Sequence, residues 1–226
     1  MKTLFQSSVA LVLCVSVGAC ASPPHVELRA PSASASFEER AQALEQLHAT
    51  SAHETHITYL RNGVPVGAAR TTDYLQLNGG ERVYHPEDIL PVVKEDSAAA
   101  AAAERSAEAT STANTVQGWG WALTGVGPAV MLSSVFFIED AETSPDFSGM
   151  WTVMAIGGVI TIGGLITGLI GGSYRRQAND DKATAFELYN KALAQRLDIC
   201  ADGKALVPCA QAGGSSAAPS DVELGD

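Results

Sequence analysis

The chain is poor in positive charge. Its 226 residues hold 14 Lys and Arg against 25 Asp and Glu, a formal net charge of −11. With no basic stripe to neutralise phosphates, nucleic acid is excluded as a partner. Recognisable catalytic patterns are missing as well. No serine sits in a Gly-x-Ser-x-Gly elbow. The Gly79-Gly80 turn is not followed by the lysine and helix of a phosphate loop. His53-Glu54-Thr55-His56 places two histidines at i, i+3 where the zinc-protease helix needs i, i+4. His48 lies nearby, but solvated surface histidines are the default, and neither metal nor cofactor is expected. These absences point away from an enzyme.

What the chain has in quantity is uncharged apolar sequence, unevenly placed. Apolar residues concentrate at 1–19, 119–138 and 151–172. The first stretch, MKTLFQSSVALVLCVSVGAC, reads as an export signal. Lys2 is its positive region, Val9 to Val17 its apolar segment, and small residues follow. The signal ends Val17-Gly18-Ala19-Cys20, which resembles the bacterial lipobox. The resemblance implies cleavage before Cys20 and lipidation of that cysteine, making a multi-chain acyl anchor. Ala21, not aspartate, follows it, and by resemblance to enteric sorting this favours the outer membrane. An exported chain lives in an oxidising compartment. Cys14 leaves with the signal, so Cys200 and Cys209 remain as an even pair and are expected to form a local disulfide.

Past the anchor, 20–36 is Pro/Ser/Ala-rich and reads as a flexible tether. Residues 37–50 read as a short helix with a capping box at Ser36 and Glu39. Asn62-Gly63 and Asn78-Gly79-Gly80 predict two short β-hairpins, 57–60 with 64–68 and 74–77 with 82–84. Pro86 to Pro91 reads as one helical turn. Together 37–96 predicts a small α+β periplasmic module, thin enough to need a partner surface. The alanine run from Ser97 predicts a helix that continues into the apolar stretch.

The runs 119–138 and 151–172 are each about 30 Å long as helices, the thickness of a bilayer's hydrocarbon. Trp119, Trp121, Trp151 and Tyr174 stand at their ends, where amphipathic rings favour the interface. Neither run holds an ionisable residue, so no proton relay or ion path is marked. Between them lies an acidic turn, EDAETSPDFSGM. The expected fold is therefore mainly α: a long transmembrane helical hairpin, 97–174, carrying the small module. In the second run seven of the sixteen residues 157–172 are glycine. Glycine weakens a helix in water, but in hydrocarbon unpaired peptide groups hold the chain helical regardless. Glycine then serves as a flat contact face. Gly164, Gly168 and Gly172 recur every four residues, and Gly125, Ala129 and Ser133 are their counterpart on the first helix. The two rows are expected to pack on each other, or one on a second copy.

Lipobox, polar spacer and glycine-rich hairpin together resemble the glycine-zipper outer-membrane lipoproteins of bacteria. That resemblance implies an anchoring or oligomeric role and no reaction. With Cys20 periplasmic, two spans leave Arg175-Arg176 periplasmic and the acidic turn across the membrane. This opposes the inner membrane's positive-inside preference and adds weight to the outer membrane. Beyond the membrane, 175–200 reads as an amphipathic helix with Phe186, Tyr189, Leu193 and Leu197 on one stripe. The stripe packs either on the 56–92 module or on a partner in an envelope transport or secretion complex. The expected partners are thus membrane lipid, a second copy of the chain and an envelope protein. The segment 201–226 reads as a Cys-loop and a disordered tail.

Overall fold

Local chemistry sets the first elements of the computed structural model, which describes residues 23–32, 34–59, 65–134, 147–202 and 205–211. The signal segment 1–19 and Cys20 lie outside the described residues, as do 135–146 at the turn of the hairpin and 212–226. Helix α1 spans Phe37–Leu47. Ser36 Oγ accepts from Glu39 N at 3.2 Å, and Glu39 accepts from Ser36 N at 2.8 Å, the reciprocal capping box. The helix ends three residues before the sequence reading placed its end. The chain then turns at His48 into strand β1, Ala49–Tyr59.

Strand β2 spans Pro65–Leu77 and β3 spans Arg82–Val83. β1 pairs antiparallel with β2 from Ala49↔Leu77 to Tyr59↔Pro65, with one irregularity between His56 and Thr58. β3 adds to β2 at Leu75↔Val83. The two short hairpins of the sequence reading are therefore one three-stranded meander, order β1-β2-β3. The stretch 49–56 carries no strand signal because its outer part is polar. Ser51, His53, Thr55 and His56 are exposed, so no apolar alternation marks the strand.

A 3-10 turn, Pro86–Ile89, leads to helix α2, Ala98–Ser133, whose N-cap Ser97 accepts from Ala100 N at 3.1 Å. Helix α3, Phe147–Glu187, runs back antiparallel against it. Helix α4, Tyr189–Arg196, follows after a break at Leu188. Strands β4, Ile199–Asp202, and β5, Ala205–Pro208, close the described chain as an antiparallel pair, joined by the disulfide Cys200–Cys209 with Cα atoms 4.8 Å apart. The expected continuous helix 175–200 is thus the end of α3, a break, α4 and the start of a strand. The expected Cys-loop is a hairpin.

One core unites these parts. Leu44, Leu75, Leu77, Val83, Ile89, Val92 and Val93 meet Ala99, Ala102 and Ala103 of α2, and the C-terminal Phe186, Tyr189, Leu193, Leu197 and Ile199. The apolar stripe 186–197 is therefore packed inside this protein's own module. Tyr189 donates to the Leu47 carbonyl at 3.0 Å, and burial raises its pKa. Asn190 bonds both backbone groups of Ala49, at 3.0 and 2.8 Å, fastening β1 to α4. Arg40 donates to the Leu197 carbonyl at 2.7 Å, tying α1 to the same corner.

The segment read as tether is partly ordered. Leu28 is buried, with Val26 and Ala30 packed beside it. Val26 N donates to Asp88 Oδ2 at 3.0 Å, His25 Nδ1 lies 2.8 Å from Asp88 Oδ1, and His85 Nε2 lies 2.9 Å from the Pro23 carbonyl. The polar composition of 21–36 concealed three apolar residues spaced i, i+2, i+4, the period of an extended chain with one face buried.

Candidate functional site

The α2–α3 hairpin carries the most unusual surface of the molecule. Along α2 a small residue is buried every seven positions: Ala99, Ser106, Ala113, Gly120 and Gly127, with the C-cap Ser134 continuing the row. On α3 the matching row is Gly157, Gly164, Gly171, Ala178 and Ala185, also buried. A seven-residue row drifts only about 20° around a helix per repeat, so it stays on one contact line.

Two levels show how close the backbones come. A Cβ on Gly120 would lie 2.5 Å from Gly168 N and 3.0 Å from the Gly164 carbonyl oxygen. One on Gly164 would lie 2.5 Å from Thr124 N. Further along, one on Gly157 would lie 2.8 Å from the Gly127 carbonyl oxygen, and one on Gly127 would overlap Thr161 Oγ1. No real side chain fits at such distances from backbone. Thr124 and Thr161 donate their hydroxyls to the Gly120 and Gly157 carbonyls of their own helices at 2.8 Å, so the hydroxyl oxygens that face the opposing glycines have their protons satisfied. Nearer the module the small row turns polar. Ser106 donates across to the Ala178 carbonyl at 2.8 Å, Arg105 pairs with Asp181 at 3.1 Å, and Arg175 donates to Gln117 at 3.1 Å.

This geometry corrects the expected contact rows. Gly125 and Ala129 are exposed, Gly125 has open space where a Cβ would be, and Ser133 bonds back to its own helix at Val130. The α2 row is Gly120 and Gly127 instead. On α3 only Gly164 of the expected three is buried in the contact. Gly168 offers its backbone to Gly120, yet a Cβ there would meet nothing, and the same holds at Gly172. The reason is helical phase. A four-residue step turns about 40° past a full revolution, so a row of three rotates about 80° off the contact line. Gly168 and Gly172 end in a lateral groove of about 610 Å³, walled by Trp121, Leu165 and Leu169 and closed by Gln117 and Arg176. The seven-residue spacing was present in the sequence, but the denser four-residue pattern masked it.

The outer surface of the hairpin is the reverse of its seam. Trp119, Trp121, Val126, Leu132, Trp151, Ile156, Val159, Ile162, Leu165, Ile166, Leu169 and Ile170 are all exposed, Leu169 by 77 % and Val159 by 72 %. Helix α3 is long and apolar enough to cross a membrane, and only 11 % of its most apolar window is buried. A core helix of a soluble protein of that composition would be mostly covered. Among the described residues α3 is the one such helix; the second expected span, 119–138, is described only to 134. Gly120 lies beside Gly164 and Gly168, which sets Trp119 and Trp121 level with the Ile166 region of α3. Trp151 then stands about 22 Å further along, at 1.5 Å per residue.

The histidines of 48–56, from which no metal site is expected, do not gather. His53 and His56 lie on β1, three residues apart and so on opposite faces of the strand. His48 stands at the end of α1, its pKa lowered by burial. Among the described residues the group of histidine and acid side chains close enough to share an ion is His25, His85 and Glu87. Sequence reading missed it because its members are some sixty residues apart. No protein-family model, curated protein or solved structure matches the chain.

Proposed function

We propose that this chain is a non-enzymatic, lipid-anchored protein of the bacterial cell envelope, held by acyl chains on Cys20 and by insertion of the α2–α3 hairpin into the membrane. One observation carries the reading: the hairpin buries Gly120, Gly127, Gly157, Gly164 and Gly171 in its seam and exposes its large apolar side chains. In water, leaving a Leu or Ile out of a core forfeits about 1.5–3 kcal/mol per side chain. A dozen on one hairpin make a surface that only hydrocarbon accommodates. The ring levels, about 22 Å apart, match a thin hydrocarbon layer. That thickness, with Ala21 after the cysteine and an acidic turn beyond the membrane, favours the outer membrane with the 37–96 module in the periplasm. The role this supports is anchoring or structural, with the module presented at the membrane surface. The burial of Phe186, Tyr189, Leu193 and Leu197 removes that stripe from partner docking.

The three tryptophans of the chain all lie in the hairpin, so their fluorescence reports on it alone. Reconstituted into vesicles whose acyl chains carry bromine, the protein is expected to lose most of its tryptophan emission, while aqueous iodide has little effect. Strong iodide quenching with no response to brominated chains would place the hairpin in water and overturn the insertion.

A further inference from the structure

The segment just past the anchor is held by a cluster whose chemistry is directional. Asp88 and the Pro23 carbonyl can only accept hydrogen bonds, so in the neutral rings His25 carries its proton on Nδ1 and His85 on Nε2. That leaves a lone pair on His25 Nε2 and another on His85 Nδ1. The latter already lies 3.8 Å from Glu87 Oε1. One ligand atom from each of His25, His85 and Glu87 falls within 4.8 Å of the others. Asp88 is fixed, its side chain only 7 % exposed and holding Val26 N as well as His25.

We propose that His25, His85 and Glu87 form a binding site for a divalent ion of the zinc class, which clamps the anchor-proximal segment to the Pro86–Ile89 turn. Two imidazoles and a carboxylate are a zinc donor set, with water completing the tetrahedron. Asp88 and the Pro23 carbonyl occupy the outer positions that orient metal-bound histidines and set their tautomers. Some closure accompanies loading. Ligands at about 2.0–2.2 Å from zinc stand about 3.3 Å from one another. The His25 and His85 rings, stacked at 4.1 Å and 22°, must also turn so that both lone pairs meet at one point. His25 has the room, its side chain being 63 % exposed. The site joins the 20–36 segment to the module and does not depend on whether the hairpin enters a membrane.

The test is calorimetric titration of zinc chloride into the full chain in detergent, after chelator treatment and dialysis. One ion per chain at micromolar affinity or better is expected. His25→Asn keeps an amide donor for Asp88 and removes Nε2 as a ligand. His85→Gln keeps a donor for the Pro23 carbonyl and removes Nδ1. Each is expected to weaken zinc binding at least tenfold with the metal-free melting temperature unchanged. Glu87→Gln, which leaves the two histidine hydrogen bonds in place, should do the same and decides the matter if either histidine variant is unstable. Joint replacement of His53 and His56 by alanine should leave binding intact. No stoichiometric binding up to millimolar zinc, undiminished affinity in Glu87→Gln, or loss only in the His53/His56 variant would each overturn the site.

Discussion

At the scale of single residues, two glycines four residues apart differ completely in what they do. Gly164 and Gly168 both look like members of one motif. A methyl on Gly164 would strike the Thr124 amide, whereas one on Gly168 would enter the lateral groove. Gly164→Ala is therefore expected to force the helices apart or to shift them along each other. The cost should be about 1–3 kcal/mol, as overpacking of a tight contact generally costs. Gly168→Ala and Gly125→Ala should leave the contact intact. A short thiol-reactive cross-linker between cysteines placed at the Gln117 and Arg175 positions, whose side chains meet across the two helices, reports the spacing in detergent. Its yield should fall in Gly164→Ala and stay near the parent's in the other two. Equal yields in all three would mean that the seam is looser than its geometry requires. Residue 168 remains the position where bulk probes the groove, and through it contact with a second copy, separately from the hairpin's own packing.

At the scale of elements, the hairpin and the module are stabilised by different physics. In the module, α1, β1 and α4 meet through buried side chains and the pairing of Asn190 with Ala49. The β4–β5 pair is four residues a side and too short to persist by pairing alone. The Cys200–Cys209 bond closes it. In the chain-entropy account a closure of this length contributes about 2–3 kcal/mol. Reduction, or Cys200→Ser with Cys209→Ser, is therefore expected to loosen residues 199–209. Backbone amides there should exchange with deuterium faster, while those of α2 and α3 near their seam change little. Unchanged exchange in this hairpin after reduction would assign its order to packing against α4 rather than to the cross-link.

At the scale of the whole molecule, the proposed function gives one chain two attachments, Cys20 and the hairpin. Several acyl chains make a stable anchor, and so does an inserted helix. Cys20→Ser is expected to abolish palmitate incorporation and leave the precursor uncut, yet the protein should stay with the membrane fraction through alkaline carbonate extraction. Label that persists in Cys20→Ser would refute the lipobox reading. Release of the protein into the soluble fraction would make the acyl chains the sole attachment.

Much of this was legible along the chain. The capping box at Ser36 and Glu39, the helix start at Ser97, the turn at Pro86 and the two uncharged apolar runs are local signals, written in residues within a few positions of one another. The energy that settles them is local too: a cap, a proline, a stretch without charge. Three things were decided only when distant segments met. The polar stretch 49–56 became strand because β2 supplied its partner. The stripe 186–197 became core because the module had a face to cover. Which glycines touch depended on register between two helices, for a single helix presents glycines at four- and seven-residue spacing alike, and only the line along which the neighbour lies selects between them. The His25, His85 and Glu87 cluster belongs to the same class. Composition can count histidines, but proximity across sixty residues is a property of the fold, set by burial of Leu28 and the hydrogen bonds of Asp88.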